Sequence, residues 1–220
     1  MGRIEEAKQR CEKALEMGEK LLQTDPENVA YQSAVGTMLN NLSTLLSYTG
    51  RIEEAKQRYE KALEMREKLL QTDPENVAYQ SDVGTTLNNL GTLLFDMGRI
   101  EEAKQWYEKA LEIYTEPMQY LTIKTKVNTI LNLINLDWER AEEESNPFRR
   151  VPLLKEAFST CIKNRDFFVM HGMQHERKLA MEVGLKAYVE YSMLHIQKEP
   201  NSEYRTKEYE KVISAINKFK

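Results

Sequence analysis

Asparagine side chains occur in adjacent pairs at two places in the chain. The pairs are Asn40–Asn41 and Asn88–Asn89, and they lie 48 residues apart. Each amide offers both a hydrogen-bond donor and an acceptor. Such a set can bind the polar groups of a ligand, or it can bond neighbouring segments of its own chain. Which alternative applies depends on the elements that position the amides.

Other reactive side chains form no recognisable catalytic group. His171 and His175 have a spacing that can hold a metal on one helix face, but Gly172 indicates that the helix only starts there. A third ligand is also missing. Cys11 and Cys161 have no histidine placed to activate them. Because phosphate loops, nucleophile elbows and paired carboxylates in an apolar setting are missing too, we expect no enzyme activity, no metal and no cofactor.

The elements that carry these residues are copied along the chain. The stretch GRIEEAKQRCEKALE begins at Gly2, and close copies begin at Gly50 and Gly98. Residues 2–49 and 50–97 differ at only eight positions. These are 11/59, 18/66, 34/82, 38/86, 43/91, 47/95, 48/96 and 49/97. Repetition at a fixed period of this length predicts stacked supersecondary units rather than one closed globule.

Each copy has the pattern of two helices, which we call A and B. The motif DPEN at 73–76 predicts a helix start, with Asp73 as N-cap and Pro74 in the first helical position. Apolar residues then recur at steps of three and four up to Gly98, which predicts a left-handed cap. The same steps continue beyond Gly98 and predict the second helix. The apolar positions are Val83, Leu87, Leu90 and Leu94, then Ile100, Ala103, Tyr107 and Ala110.

Composition excludes several classes of protein. Gly and Pro are scarce, at 9 and 6 residues, which fits long helices with short turns. The net charge is −4, with 14 basic and 20 acidic residues in 1–115 and 17 and 15 in 116–220. Neither half is basic enough for a nucleic-acid surface, and no apolar run is long enough to cross a membrane. With only two cysteines and a charged start, we expect a cytoplasmic protein.

The order L-x-x-L-G-x-x-L followed by A-x-x-x-Y-x-x-A resembles the tetratricopeptide repeat. The matching residues are Leu87, Leu90, Gly91, Leu94, Ala103, Tyr107 and Ala110 in one unit, and Leu39, Leu42, Leu46, Ala55, Tyr59 and Ala62 in the other. Leucine replaces the usual tryptophan, and Ser43 replaces the usual small glycine in the first full unit. The long period and phrases such as TLNNLGTLL resemble the repeats of kinesin light chain. The resemblance covers residues 2–115.

This resemblance implies an all-α, helical-hairpin solenoid, a right-handed superhelix of antiparallel helix pairs. In the family, the A helices line a concave groove in which asparagines reach the backbone of a bound peptide. The candidate groove residues are Thr37, Asn40, Asn41, Thr44, Thr85, Asn88, Asn89, Thr92, Phe95, Asn128, Asn132 and Asn135. No Lys or Arg flanks the asparagines in the first two A helices, so a ligand with a terminal carboxylate is disfavoured.

The predicted array covers residues 1–117 and begins with a lone B helix at 3–24. Residues 118–220 lose the repeat sequence but keep helical patterns, and SNPFRRVP at 145–152 predicts a break. The four further helices are expected at 118–144, 153–169, 173–198 and 205–219. They bring the total to about nine, and we expect them to continue the solenoid and cap it.

Two functions follow from these patterns. The first is a scaffold that binds a peptide or helical segment of a partner protein in the groove. The second is self-assembly, because no A helix precedes the B helix at 3–24 and an uncovered apolar flank favours association. Either the chain is part of a longer array, or copies associate or swap helices through this segment. Its partly exposed residues would be Ile4, Ala7, Cys11, Ala14 and Leu15.

Overall fold

The computed structural model describes residues 2–114 and 120–196, together with positions 207 and 210. Within this part of the chain all regular structure is helical, which confirms the predicted all-α class. Of the last expected helix, at 205–219, only positions 207 and 210 are described, and both are helical. The eight described helices are α1 (Gly2–Thr24), α2 (Val29–Tyr48), α3 (Ile52–Thr72), α4 (Val77–Asp96), α5 (Ile100–Glu112), α6 (Tyr120–Glu143), α7 (Pro147–Met170) and α8 (Gln174–Ile196).

The chain divides into two compact units, residues 1–126 and 127–220, and the division falls within α6. In the first unit each of α1 to α4 packs against the helix that follows it. The two A helices, α2 and α4, also contact each other. Packing between sequence neighbours is the defining feature of a helical-hairpin solenoid, so the predicted architecture is confirmed for this unit.

The turn from each A helix to its B helix depends on a glycine. Gly50 and Gly98 have φ angles of +76° and +71°, which only glycine adopts at no steric cost. The amide of the next residue then bonds back to the helix, as in Arg99 N to the Leu94 carbonyl at 2.8 Å. This geometry satisfies a carbonyl that the helix end would leave unpaired, and it confirms the predicted cap.

The loop from a B helix to the next A helix differs from the prediction. The N-cap of α4 is Asn76, whose Oδ1 accepts from the backbone N–H of Ala78 and Tyr79 at 3.1 and 3.3 Å. Asp73, predicted as this cap, instead follows the end of α3 and accepts from Asn76 Nδ2 at 3.2 Å. Asn76 is favoured as the N-cap because its side-chain oxygen can accept from the helix N–H groups while its side-chain nitrogen donates to Asp73.

The core of the first unit is built from the repeated leucines, alanines and tyrosines. Tyr59 and Tyr107 are almost fully buried beside alanines of their own helices. A Cβ built on Gly91 would lie 2.6 Å from the Tyr107 ring, so the small residue permits the close contact of α4 and α5. The fully buried alanines are Ala55, Ala62, Ala103 and Ala110.

The second unit is organised by α7 and α8, which pack against each other. A Cβ built on Gly184 would lie 2.7 Å from Cys161 Cβ, so these two small residues permit close contact of the helices. Ala141 of α6 joins Leu154 and Ala187 in a buried cluster. Whether residues 118–220 continue and cap the array stays a prediction.

The predicted break at 145–152 is wrong in extent, because only residues 144–146 are non-helical. Helix α7 begins at Pro147 and contains Pro152. A proline in the first helical position removes an N–H that has no partner there. The second proline costs one backbone hydrogen bond, which the packed helix tolerates.

Candidate functional site

We call the side of α2 and α4 that carries the paired asparagines the A surface. Among its predicted residues, Thr37 and Asn41 are exposed, whereas Asn40 is only 6 % exposed. The others are half-buried: Thr44, Thr85, Asn88, Asn89, Thr92 and Phe95. The two asparagine pairs are identical in sequence, yet they differ in accessibility.

One amide from each pair joins the two A helices. Asn89 Nδ2 donates to Asn40 Oδ1 across 3.2 Å. Asn41 occupies the position in α2 that corresponds to Asn89. Its side chain is exposed, and its amide group makes no hydrogen bond within the described part of the chain. The bonded pair therefore ties α2 to α4, and Asn41 is the amide that a ligand can reach.

Two threonine hydroxyls of the A surface bond to tyrosines of the B helices. Thr44 Oγ1 lies 2.8 Å from the Tyr59 hydroxyl. The Tyr107 hydroxyl donates to Thr92 Oγ1 at 3.2 Å. Burial raises the pKa of Tyr59, so its hydroxyl keeps its proton. These bonds join the A helix to the B helix within each hairpin. A direct role of the two threonines in ligand binding stays a prediction.

Arg66 is a buried residue of this region that the sequence patterns did not single out. It belongs to α3, but its stem crosses Gly36 and its guanidinium ends between α2 and α4. Nη1 donates to Thr86 Oγ1 at 2.5 Å, and Nη2 donates to Thr37 Oγ1 at 3.3 Å. Burial lowers the pKa of Arg66, and the nearby Asp82 partly offsets that change. The sequence does carry a signal for this contact, because residues 66, 82 and 86 all differ in type from their counterparts in the first copy.

The exposed part of the A surface carries little charge. Helix α2 has no charged residue, and α4 has only Asp82 and Asp96. Arg66, whose guanidinium lies between these helices, is 4 % exposed and bonded to α4. At the end of α2, the Tyr48 ring is 77 % exposed. The surface therefore presents neutral amides, hydroxyls and an aromatic ring rather than an ionic clamp.

The three candidate asparagines of α6 belong to the second unit. Asn128 and Asn135 are exposed, and Asn132 is half-buried. A spacing of seven residues places the exposed pair on one side of the helix, two turns apart. Their part in a groove with the A surface stays a prediction.

The histidines and cysteines lie in separate surroundings. His171 follows α7, and its ring contacts that of Phe167 in a tilted arrangement with centroids 4.5 Å apart, whereas His175 is exposed in α8. Among the described residues, no three His, Cys, Asp or Glu side chains are placed to hold a metal. Cys161 is fully buried, its Sγ donates to the Ala180 carbonyl at 3.1 Å, and burial raises its pKa to about 12. This thiol is therefore structural.

The flank of α1 that faces away from α2 is uncovered. Leu21 is 47 % exposed, whereas the corresponding Leu69 of α3 is 2 % exposed. Met17 is 67 % exposed, and its counterpart Met65 is half-buried. The difference arises because α3 packs against two A helices, α2 and α4, whereas α1 packs against one described A helix, α2, and contacts α3 through the Lys61–Glu19 ion pair at 2.7 Å.

The predicted partial exposure of α1 is confirmed for most of its residues. Ile4 is 39 % exposed, and three further predicted residues are half-buried. These three are Ala7, Cys11 and Ala14. The expectation for Leu15 was wrong, because this side chain belongs to the core cluster that includes Val35 of α2 and is 5 % exposed.

The fold and the A surface define a class of protein: its first unit is an array of helical hairpins with a largely neutral polar face, and the described residues form no catalytic constellation. No described helix has the length and apolar character that crossing a bilayer requires. Residues 1–68 match a family model of the tetratricopeptide repeat, and residues 83–116 match a second one. Both matched segments are thus similar to tetratricopeptide repeats, and together they cover slightly less than half of the chain.

Two solved structures resemble the chain at low sequence identity. BtubC (BKLC) from P. vanneervenii is 16 % identical, with a TM-score of 0.49 over 98 % of this chain and 89 % of that chain. A Q17M variant of a candidate kinesin light chain from Podosopora anserina, with nearly identical TPR-like repeats, is 12 % identical, with a TM-score of 0.48 over 97 % and 91 %. Among curated proteins, no relative of the chain is found. The likeness to the tetratricopeptide repeat is therefore carried by the two matched segments.

Proposed function

We propose that this chain is a non-enzymatic scaffold that binds a peptide segment of a partner protein on the A surface. Tetratricopeptide repeats generally mediate protein–protein interaction, and the family is typically non-enzymatic. The observation that carries the finer proposal is the accessible Asn41 amide beside the Asn40–Asn89 bond. That bond fixes the two A helices, so the exposed amide is held on a rigid support.

The chemistry of the A surface favours an uncharged stretch of peptide backbone. The Asn41 amide can accept from a peptide N–H and donate to a peptide carbonyl. Tyr48 lies two helical turns farther along α2 and offers an exposed ring for an apolar side chain. Without an accessible cation on α2 or α4, a free carboxylate terminus finds no charged partner there.

A peptide-display selection tests the proposal. The intact chain is used to select binders from a random twelve-residue peptide library, and the affinity of a selected peptide is measured by calorimetry. Replacing Asn41 by Ala is expected to weaken binding about 5- to 30-fold, since two hydrogen bonds are worth about 1–2 kcal/mol together. The matched control is Gln57→Ala, an exposed amide on α3, which is expected to leave the affinity unchanged.

Two results would contradict peptide binding on the A surface. One is a selection that yields no peptide specific for the folded chain. The other is a selected peptide that binds the Asn41→Ala variant as tightly as the original chain. Circular dichroism of each variant confirms that the helical fold is retained, so that lost binding is not mistaken for unfolding.

The uncovered flank of α1 supports a second candidate function, which is self-assembly. We infer that Met17 and Leu21 are covered when copies associate, because their counterparts in α3 are covered by a neighbouring helix. Light scattering during size exclusion across a dilution series tests this idea. Concentration-dependent oligomers that disappear in Leu21→Glu favour it. A monomer at every concentration excludes it.

A further inference from the structure

Three of the eight positions that distinguish the two copies are associated with one type of helix interface. They are position 18/66 on the B helices and positions 34/82 and 38/86 on the A helices that follow. In the second copy the three residues meet between α3 and α4. The second copy has Arg66, Asp82 and Thr86, and the first has Gly18, Ala34 and Met38. These differences are therefore concentrated where one hairpin stacks on the next.

The interface between α3 and α4 is polar at this point. Arg66 Nη1 donates to Thr86 Oγ1 at 2.5 Å and to the Asp82 carbonyl at 3.0 Å. Its Nη2 lies 3.6 Å from the Asp82 carboxylate. A guanidinium that is 4 % exposed is strongly unfavourable unless its charge and N–H groups find partners. Helix α4 supplies a hydroxyl, a carbonyl and a carboxylate, and Thr37 of α2 supplies a second hydroxyl, while Nε has no hydrogen-bond partner among the described residues.

The corresponding interface between α1 and α2 is apolar. A Cβ built on Gly18 would lie 3.1 Å from Val35 Cγ2 and 3.3 Å from Met38 Sδ. The methionine therefore fills the room that the missing side chain leaves. Ala34 brings no charge to the helix at the position where α4 has Asp82. The α1–α2 and α3–α4 interfaces thus have equivalent helices, but they are packed by two incompatible sets of side chains.

Mixed pairing of the helices would be unfavourable in both directions. A helix like α2 packed on α3 would place alanine and methionine where Arg66 requires a carboxylate and a hydroxyl. A helix like α4 packed on α1 would leave Asp82 without its cation and would leave a void beside Gly18. The other difference on the B helices, Cys11 against Tyr59, acts elsewhere, because Tyr59 bonds to the A helix of its own hairpin.

We propose that these two sets of residues form a pairing code that determines which A helix packs on which B helix. Within one chain, the code fixes the stacking order of hairpins that are otherwise nearly interchangeable. Between copies of the chain, it rejects any exchange of helices that breaks a matched pair. Buried polar groups can specify register in this way, because the wrong partner leaves them unsatisfied.

A cycle of substitutions tests whether the three positions act as a set. Arg66→Gly, and Asp82→Ala together with Thr86→Met, are each expected to lower Tm by about 5–10 °C. The variant with all three changes recreates the chemistry of Gly18 and Met38, so it is expected to regain most of that loss. If the losses simply add in the triple variant, the positions are not matched and the proposal is overturned. Gln57→Ala is the control for an exposed change.

A refolding experiment tests the order-setting role. Two differently tagged preparations of one variant are unfolded together, refolded at high concentration and assayed for complexes that carry both tags. The triple variant, whose two interfaces are alike, is expected to give several-fold more mixed complexes than the original chain. Equal amounts would overturn the proposal.

If the triple variant does not fold, the Tm cycle and the refolding assay can both be carried out with the converse exchange, in which the first interface is changed instead of the second. Gly18→Arg, Ala34→Asp and Met38→Thr make the first interface like the second and use the polar chemistry instead. Each change made alone is expected to lower Tm, and the three together are expected to recover it. The complete exchange is again expected to raise the yield of mixed complexes, and failure of both effects would overturn the proposal.

Discussion

Leu21 and Leu69 give a direct test of the uncovered flank of α1, because they have the same sequence neighbours but different surroundings. Leu69 is 2 % exposed, and removing a leucine side chain from such a site costs about 2–5 kcal/mol. Leu21 is 47 % exposed, so roughly half of its apolar area is already in water. Its replacement by alanine should therefore cost about 1 kcal/mol or less.

Urea denaturation followed by far-ultraviolet circular dichroism measures the two costs. With a slope of about 2–3 kcal/mol per molar, Leu69→Ala is expected to lower the unfolding midpoint by about 0.7–2.5 M. Leu21→Ala is expected to lower it by no more than about 0.5 M. The two variants share the same residue change, helix type and position in the repeat, so each serves as the control for the other.

Equal shifts for the two variants would refute the assignment of an uncovered flank. Leu21 would then be as well covered in solution as Leu69. Repeating the denaturation over a hundredfold range of protein concentration would identify the cause. A midpoint that rises with concentration would show that a second copy covers α1, because association stabilises the folded state by mass action.

Two further predictions follow from the close contacts of the helices. Gly91→Ala places a Cβ 2.6 Å from the Tyr107 ring and is expected to cost about 1–3 kcal/mol in thermal unfolding. At the equivalent Ser43 a Cβ is already accommodated, so Ser43→Ala is expected to cost less than about 1 kcal/mol. At pH 8 a chromogenic thiol reagent is expected to modify the half-buried Cys11 at least about 100-fold faster than Cys161, whose pKa is raised to about 12 by burial. Comparable rates in the folded chain would show that the Cys161 thiol is not sealed in the second unit.

The helical hairpins were predictable because their signals are local. Gly50 and Gly98 end the A helices in left-handed conformations that few other residues adopt. The apolar steps of three and four identify the buried face of each helix without any knowledge of its partner. The predicted cap at Asp73 failed because DPEN contains two capping residues, and only the path of the loop decides between them.

The placement of Arg66 could not be predicted from local pattern. Its main partners, Asp82 and Thr86, lie 16 and 20 residues away on the next hairpin. A charged residue in the middle of a charged B helix is ordinarily expected in solvent. The extent of α7 was mispredicted for the opposite reason. Pro147 and Pro152 are strong local signals for a break, but a proline is favourable in the first helical position, and the packed helix tolerates the second one.

Near-identical sequence does not make the sites of the repeats equivalent, because the chemistry of a residue in an array depends on its neighbouring hairpins. Asn89 has an A helix beside it that offers the side-chain Oδ1 of Asn40, so its amide is used for packing. Asn41 stands at the same place in its own repeat, but none of the described helices provides it with such a partner, and its amide stays exposed. The amide that still offers both a donor and an acceptor is therefore on α2, whereas the Asn89 amide is used in the contact between α2 and α4. Adding a further hairpin on the open side of α1 would place another A helix beside α2, and by the same geometry it would convert Asn41, the residue proposed to bind a peptide, into a packing residue.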